Sequence, residues 1–506
     1  MSNEANQENQ SAESAKLVRV LGLREGITMT SGLVVGVGLF TVGANGVGLL
    51  GGMIIVSTFI AFLICLWPAL LYAEMGTMFP LAGGTYNYAQ KGANKLVANI
   101  AGWNYMIAVI GCVGASALAF SEYFGFLLRG FGVELGLDPR VFAFILSIIF
   151  ITFNYIGIDV AAKLQNAMIF FFWGCAIIWF LTMTPEVSLQ NYFPESSMEL
   201  PGFSDFVQIT GLVWWCFAGF ETVAGLGGEI KYPRKNIPRI VMISPFIIFA
   251  ITAIFQWFLT GLVPPTAENY EMLLVSDAPY AEALFAVELL GFPLIILCVG
   301  ISFGGVIAAM NPGISGSARY LYQMAGEGVM PKFFSKVHPK HNTPHIAVLF
   351  TGLFALALVM TNSLIFIASL SLFSILMCYI IAFCAFIGLR VRFPEIHRPF
   401  KAPGGLVGAV LSIIFYVVLM SQIGSEALYT GIGFSVFATI FYLVKTRVLK
   451  GSVFEAAIDT FMLSDMDIEP VGDEKKKMER SFKIWLSGAL AVAAVAILLF
   501  IVAFVS

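Results

Sequence analysis

Thirteen mostly apolar stretches divide this chain, and their length dictates what it can fold into. They run roughly over residues 27–50, 52–76, 98–127, 140–158, 164–184, 206–228, 238–263, 284–318, 345–361, 364–389, 405–423, 426–446 and 482–504. A hydrocarbon core of about 30 Å is crossed by about 20 helical residues. In lipid a helix closes its backbone hydrogen bonds within the segment, whereas barrel strands would alternate over about 10 residues. Only 12% of the residues are charged and 58% are hydrophobic, against about 25% charged in an average soluble domain. The expected fold class is therefore an all-α polytopic membrane protein.

The basic residues orient these spans. With the N-terminus in the cytoplasm, every Lys and Arg of the 28 falls on the cytoplasmic side except Arg129 and Arg140, the bias that sets membrane topology. Loops 185–205 and 264–283 carry acids and no base. The first 15 residues are polar without Lys or Arg, unlike a cleavable signal peptide. They read as a cytoplasmic tail, and the expected location is the plasma membrane. A polar insert over 451–480 places Phe454, Ile458, Phe461 and Met462 on one helical face, the pattern of a short interfacial helix. Lys475, Lys476 and Lys477 then precede the thirteenth span, as a topogenic anchor or a lipid contact.

Two spans differ from the rest in their glycine. The first reads Ser31-Gly32-Leu33-Val34-Val35-Gly36-Val37-Gly38-Leu39-Phe40, and the sixth Trp214-Trp215-Cys216-Phe217-Ala218-Gly219-Phe220-Glu221. Each interior Gly costs a helix about 1 kcal/mol relative to Ala. Such clusters serve either close packing or unwinding at mid-membrane depth. Their pairing favours unwinding: a shift of five spans inverts the second set, and interrupted helices at matching places in inverted halves mark transporter sites. Freed amides at Val35, Gly36, Val37 and Gly38 suit a carboxylate, and freed carbonyls at Phe217, Ala218 and Phe220 suit an ammonium. Glu221 sits beside the break, as an acceptor for loose backbone amides or as a proton-linked acid. The expected substrate is a small amino acid or amine, held without nucleic acid or cofactor, inside a lipid bilayer.

Seven cysteines lie in apolar stretches without metal spacing, and the four histidines lie in loops. No catalytic set converges, so an enzyme is not expected, and no metal site is assigned. The rival functions are a polyamine or amine transporter, a transporter-like nutrient sensor, and a channel.

Five elements resemble the amino acid–polyamine–organocation superfamily. They are Gly36-Val37-Gly38-Leu39-Phe40; Tyr72-Ala73-Glu74-Met75 through Phe79-Pro80-Leu81-Ala82-Gly83-Gly84-Thr85-Tyr86; and Gly219-Phe220-Glu221 with Tyr232-Pro233-Arg234-Lys235-Asn236-Ile237-Pro238. Two more follow, Ser317-Ala318-Arg319-Tyr320-Leu321-Tyr322 with Glu327-Gly328-Val329-Met330-Pro331, and Arg398-Pro399-Phe400-Lys401-Ala402-Pro403-Gly404. The resemblance implies two inverted five-helix repeats of the LeuT-like kind, over 25–184 and 206–390. A tail (1–24), helices eleven and twelve (404–447), an insert (448–481) and a thirteenth helix (482–506) complete the division. It implies Trp215 as an aromatic gate and secondary transport coupled to H+ or Na+, or run as exchange. Many proton-coupled relatives carry a fifth-helix Lys where Phe172 stands, which argues against that proton route. Sodium would draw on Ser302, Ser315 and Ser317. Val37 replaces a usual Ser, and with Leu33 and Val35 it makes the pocket wall apolar, favouring hydrophobic or small neutral amino acids. The oligomeric state is left open.

Overall fold

The computed structural model describes residues 17–133, 136, 138–193, 202–361, 363–448 and 470–505. The tail over 1–15 and the face formed by Phe454, Ile458, Phe461 and Met462 lie outside the described residues. Within them the chain is helical, with two isolated bridges, Leu21 to Ile230 and Ala82 to Leu226, as the sole extended pairings.

Among the described residues eight helical stretches are long and apolar enough to cross a membrane, and Arg140–Ile156, His345–Val359 and Gly405–Ser421 are shorter apolar helices. Their ends follow local chemistry. The Asn94 side chain accepts from the Val97 amide ahead of Lys95–Gly130, and Asp138 caps Pro139–Ile156 through the Arg140 amide. Gly157, at φ 156°, is the single-residue joint to Ile158–Met183.

Both glycine-rich spans are broken. The first is helical over Leu23–Val34, turns at Val35 to Val37, resumes as a π-helical turn over Gly38–Val42 and ends as Gly43–Leu50. The sixth runs Phe203–Trp215, unwinds, and regains one turn at Thr222–Gly225. The eighth span departs from its expected start at 284. A separate helix, Pro279–Ala286, ends first, and the span begins at Phe292. Glu288 (φ 57°) and Gly291 (φ 84°) hold left-handed conformations between them, which no continuous right-handed helix accommodates. The span continues through a π-helical turn at Ile301–Gly305 to Gly326.

The interior is built from the broken spans and the helices around them, Ile54–Met78, Lys95–Gly130, Pro233–Leu262, Met310–Gly326 and Leu364–Arg392, which carry most of the buried side chains. The thirteenth span, Gly472–Val505, lies against Pro233–Leu262. It buries Ala489, Ala493, Ala496 and Ala503, a small-residue stripe that lets backbones approach.

The end of the bundle that carries Arg19, Arg319 and Arg390 is shut by polar contacts. Arg319 clasps Glu229 with both arms, at 2.9 and 2.8 Å, each side chain 1% exposed. The Glu229 carbonyl takes the Val20 and Leu21 amides, the Lys231 amide bonds the Leu21 carbonyl, and Arg19 bonds the Gly227 and Ile230 carbonyls. Buried Glu74 accepts from Arg390 at 2.8 Å and from the Ala402 amide at 2.7 Å, with Arg398 3.2 Å away. Thus two of the sequence elements, around Glu74 and over Arg398 to Gly404, bind each other, and the Arg319 element binds the loop after the sixth span.

Candidate functional site

The two breaks abut. Gly219, at φ 125°, lies so near the first span that a Cβ there would sit 2.8 Å from Val34 Cγ2 and 3.3 Å from Leu33 Cδ2. Gly38 approaches in the same way: its Cβ would stand 3.4 Å from the Cys216 Cα. Glycine is needed at Gly219 for both the left-handed backbone and the contact.

Between the breaks lies a small cavity of about 30 Å³, room for roughly one water. The first span lines it with Leu33, Val34 and Gly38, and the sixth with Trp215, Ala218, Gly219 and Glu221. The third span adds Ala108, Val109 and Cys112, and the tenth adds Ser371 and Ile375. Sequence reasoning missed these last five, which sit in ordinary apolar runs with no local signal. Of the expected residues, Gly38, Trp215, Ala218 and Glu221 reach the cavity. Val35, Gly36, Val37, Phe217 and Phe220 do not line it; Gly36 instead faces Ala309 of the eighth span and Ser116 of the third. The Phe217 carbonyl faces the Cys65 thiol at 4.0 Å.

Unwinding frees backbone groups at the cavity. The Leu39 and Phe40 amides both bond the Gly36 carbonyl at 3.1 Å, while among the described residues the Val37 and Gly38 amides find no main-chain acceptor. On the sixth span, Cys216, Phe217 and Ala218 donate to Val213, Trp214 and Trp215 in tight turns. Glu221 is fully buried. Its Oε2 accepts the Gly219 amide at 3.0 Å and the Tyr379 hydroxyl, pinning the loose segment to the tenth span. Its Oε1 has no hydrogen-bond partner among the described residues, a costly state for a buried oxygen. Glu221 therefore fills the backbone-acceptor role with one oxygen and presents the other unsatisfied. Tyr379 was not legible as its partner, being 158 residues away.

Trp215 lines a second, larger cavity of about 310 Å³ as well. Asn45, Gln208, Leu274, Leu364 and Gln422 surround that vestibule, and Trp215 is common to the linings of both cavities. Tyr105 of the third span stacks on Tyr320 at 3.8 Å, next in the chain to Arg319 of the Arg319–Glu229 pair.

The serines considered for sodium are dispersed in role. Ser315 donates to the Asn154 carboxamide, within a neutral ladder in which Asn154 and Asn311 meet at 2.9 Å and Gln165 bonds the Thr28 carbonyl at 3.1 Å. The Ser302 and Ser317 hydroxyls are buried without a partner among the described residues. Among the described residues no group of three His, Cys, Asp or Glu could hold a metal.

Two broken helices meeting at a cavity prompt comparison with known proteins. Residues 21–444 match the amino acid permease family. The chain belongs to that family. It is a multi-pass membrane transporter and not an enzyme. A branched-chain amino acid permease of Bacillus subtilis is 26% identical over 422 residues, covering 81% of this chain and 89% of the relative. A methylthioribose transporter of Bacillus subtilis is 25% identical, covering 78% and 86%. A cystine/glutamate transporter of Homo sapiens is 27% identical over 457 residues, covering 86% of this chain and 86% of the relative. The family match ends at residue 444, so the thirteenth span of this permease lies outside it.

Proposed function

We propose that this permease moves hydrophobic or small neutral amino acids across the plasma membrane by alternating access, with its N-terminus cytoplasmic. The observation that carries the reading is the cavity between the two breaks, whose sole charged group is Glu221. The substrate carboxylate meets the unpaired Gly38 amide at the start of a helical turn, where the helix dipole favours negative charge, and the Val37 amide comes within reach as the site expands. The ammonium meets the Ala218 carbonyl and Glu221 Oε1. The apolar side chain meets Ala108, Val109 and Ile375, a wall that holds no partner for a charged side chain. The printed name of the branched-chain relative supports this preference.

A cavity near 30 Å³ does not admit an amino acid, so binding requires the site to expand, and Trp215 is the wall that faces the open vestibule. Inverted repeats over 25–184 and 206–390 supply the alternation: the vestibule side opens past Trp215, and the opposite side opens when the Arg319–Glu229 and Glu74–Arg390 contacts part. Glu221 is the candidate proton carrier, and Ser302 and Ser317 are the candidate sodium ligands.

Uptake of a labelled amino-acid and amine panel into proteoliposomes, with sodium and proton gradients imposed separately, tests the reading. Saturable uptake of leucine, valine or alanine, abolished in Glu221→Gln, is the expected result. Uptake of polyamines with none of amino acids would reassign the substrate, and non-saturating flux would make the protein a channel. Trp215→Ala is expected to raise KM. A fully buried large side chain contributes about 1.5–3 kcal/mol, which corresponds to roughly ten- to a hundredfold. An unchanged KM would remove Trp215 from the substrate's path.

A further inference from the structure

A separate cavity of about 460 Å³ opens between the fifth, seventh and thirteenth spans. Its walls are side chains such as Phe170, Trp173, Phe180, Ile251 and Trp485, and no charged residue lines it. Water gains no hydrogen bonds in such a space. Its lining residues Phe170, Ile177 and Ile484 are exposed on helices that are apolar enough to cross a membrane. The Trp173 and Trp485 rings meet at 6.0 Å and close one end, and the Trp173 indole N–H is buried without an acceptor among the described residues. The helix that carries Trp485 opens with Lys475, Lys476, Lys477, Arg480 and Lys483, against the acids Asp473, Glu474 and Glu479. Each of those acids is engaged, Asp473 with Lys476 at 3.9 Å, Glu479 with Arg239 and Glu474 with the Tyr232 side chain. A basic excess beside a membrane span attracts anionic lipid headgroups.

We infer that this cavity binds one acyl chain of an anionic phospholipid, with the headgroup against the basic turns that open the thirteenth span. The thirteenth span supplies both the outer wall and the charge, which gives that extra helix a task. The inner wall is Phe172, which packs 5.4 Å from Phe40 in the first span's π-helical turn and stacks on Phe255. The lipid is thus one ring from the first-span break.

The full chain, reconstituted in phosphatidylcholine vesicles doped with phosphatidylglycerol carrying a photoactivatable acyl chain, is illuminated, and adducts are mapped by peptide mass spectrometry. Adducts at 170–180 and 484–492 are expected to exceed, several-fold, those on the exposed twelfth-span surface around Val436 and Phe437, which reports ordinary annular lipid. Gly488 lines the cavity, and a Cβ there meets nothing within 4 Å, so Gly488→Phe fills the space without displacing backbone. It should lower the cavity adducts several-fold and leave the twelfth-span adducts unchanged. Val492→Phe serves as a second filling variant if the first fails to fold, as read by Tm. An unaltered adduct ratio in a folded filling variant would overturn the site. Equal labelling by the phosphatidylcholine form of the probe would overturn the anionic assignment, and crosslinks between two copies through 484–492 would place a protein helix there instead.

Discussion

Gly219→Ala is expected to abolish transport. The new methyl group meets two obstacles at once. At φ 125° the backbone lies where a side chain is strained, and the Cβ would fall 2.8 Å from Val34 and 3.3 Å from Leu33. Strain of this kind costs about 1–3 kcal/mol, and overpacking adds about 1–3 kcal/mol. The protein can relieve both by moving the sixth-span segment away from the first. That movement drags the Gly219 amide off Glu221 Oε2 and separates the two backbone surfaces proposed to hold the substrate. A loss of at least 2 kcal/mol in binding corresponds to roughly a thirtyfold weaker affinity. Binding and uptake measured together on a monodisperse preparation check this. Near-normal affinity would mean that the breaks do not form the site, whereas lost uptake with intact affinity would assign Gly219 to the conformational change alone.

Arg319→Ala is expected to give the second large effect, on stability. The Arg319–Glu229 pair is 1% exposed on both sides and doubly hydrogen-bonded. Removing one partner of such a pair strands a buried charge, at a cost of about 3–5 kcal/mol. The Glu229 carbonyl also anchors Val20 and Leu21, so the loss spreads to the chain entering the first span. Tm in detergent should fall clearly, and Arg319→Ala with Glu229→Ala should recover part of the loss, because the stranded charge is gone. No recovery in the double variant would show that the pair contributes through packing rather than charge. Arg239→Ala provides a milder comparison, because its Glu479 partner is 39% exposed and exposed pairs contribute about 0–1 kcal/mol.

The five sequence elements divide by what they do in three dimensions. The first-span and Gly219-Phe220-Glu221 elements build the cavity. The Glu74, Arg319 and Arg398 to Gly404 elements close the far end of the bundle, through contacts spanning 90 residues for Arg319 to Glu229 and 316 for Arg390 to Glu74. The acids buried in these contacts, Glu74 and Glu229, each have a named cationic partner. Glu122 differs: it sits toward the opposite end and has none of these clasps.

Membrane class and the two breaks were legible in the chain because each depends on local pattern. Twenty apolar residues must cross lipid as helix whatever their neighbours, and clustered glycine weakens a helix wherever it falls. The start of the eighth span was not legible, because Phe292 and residues 284–286 are equally apolar and the difference is a backbone reversal at Glu288 and Gly291. Nor were Ala108, Val109, Cys112, Ser371 and Ile375, or the pairing of Glu221 with Tyr379. In a span that is apolar all round, periodicity does not say which face meets a cavity and which meets lipid. That choice arises from packing between helices distant in sequence, so the walls of the site and the partners of its buried acids emerge when the spans assemble.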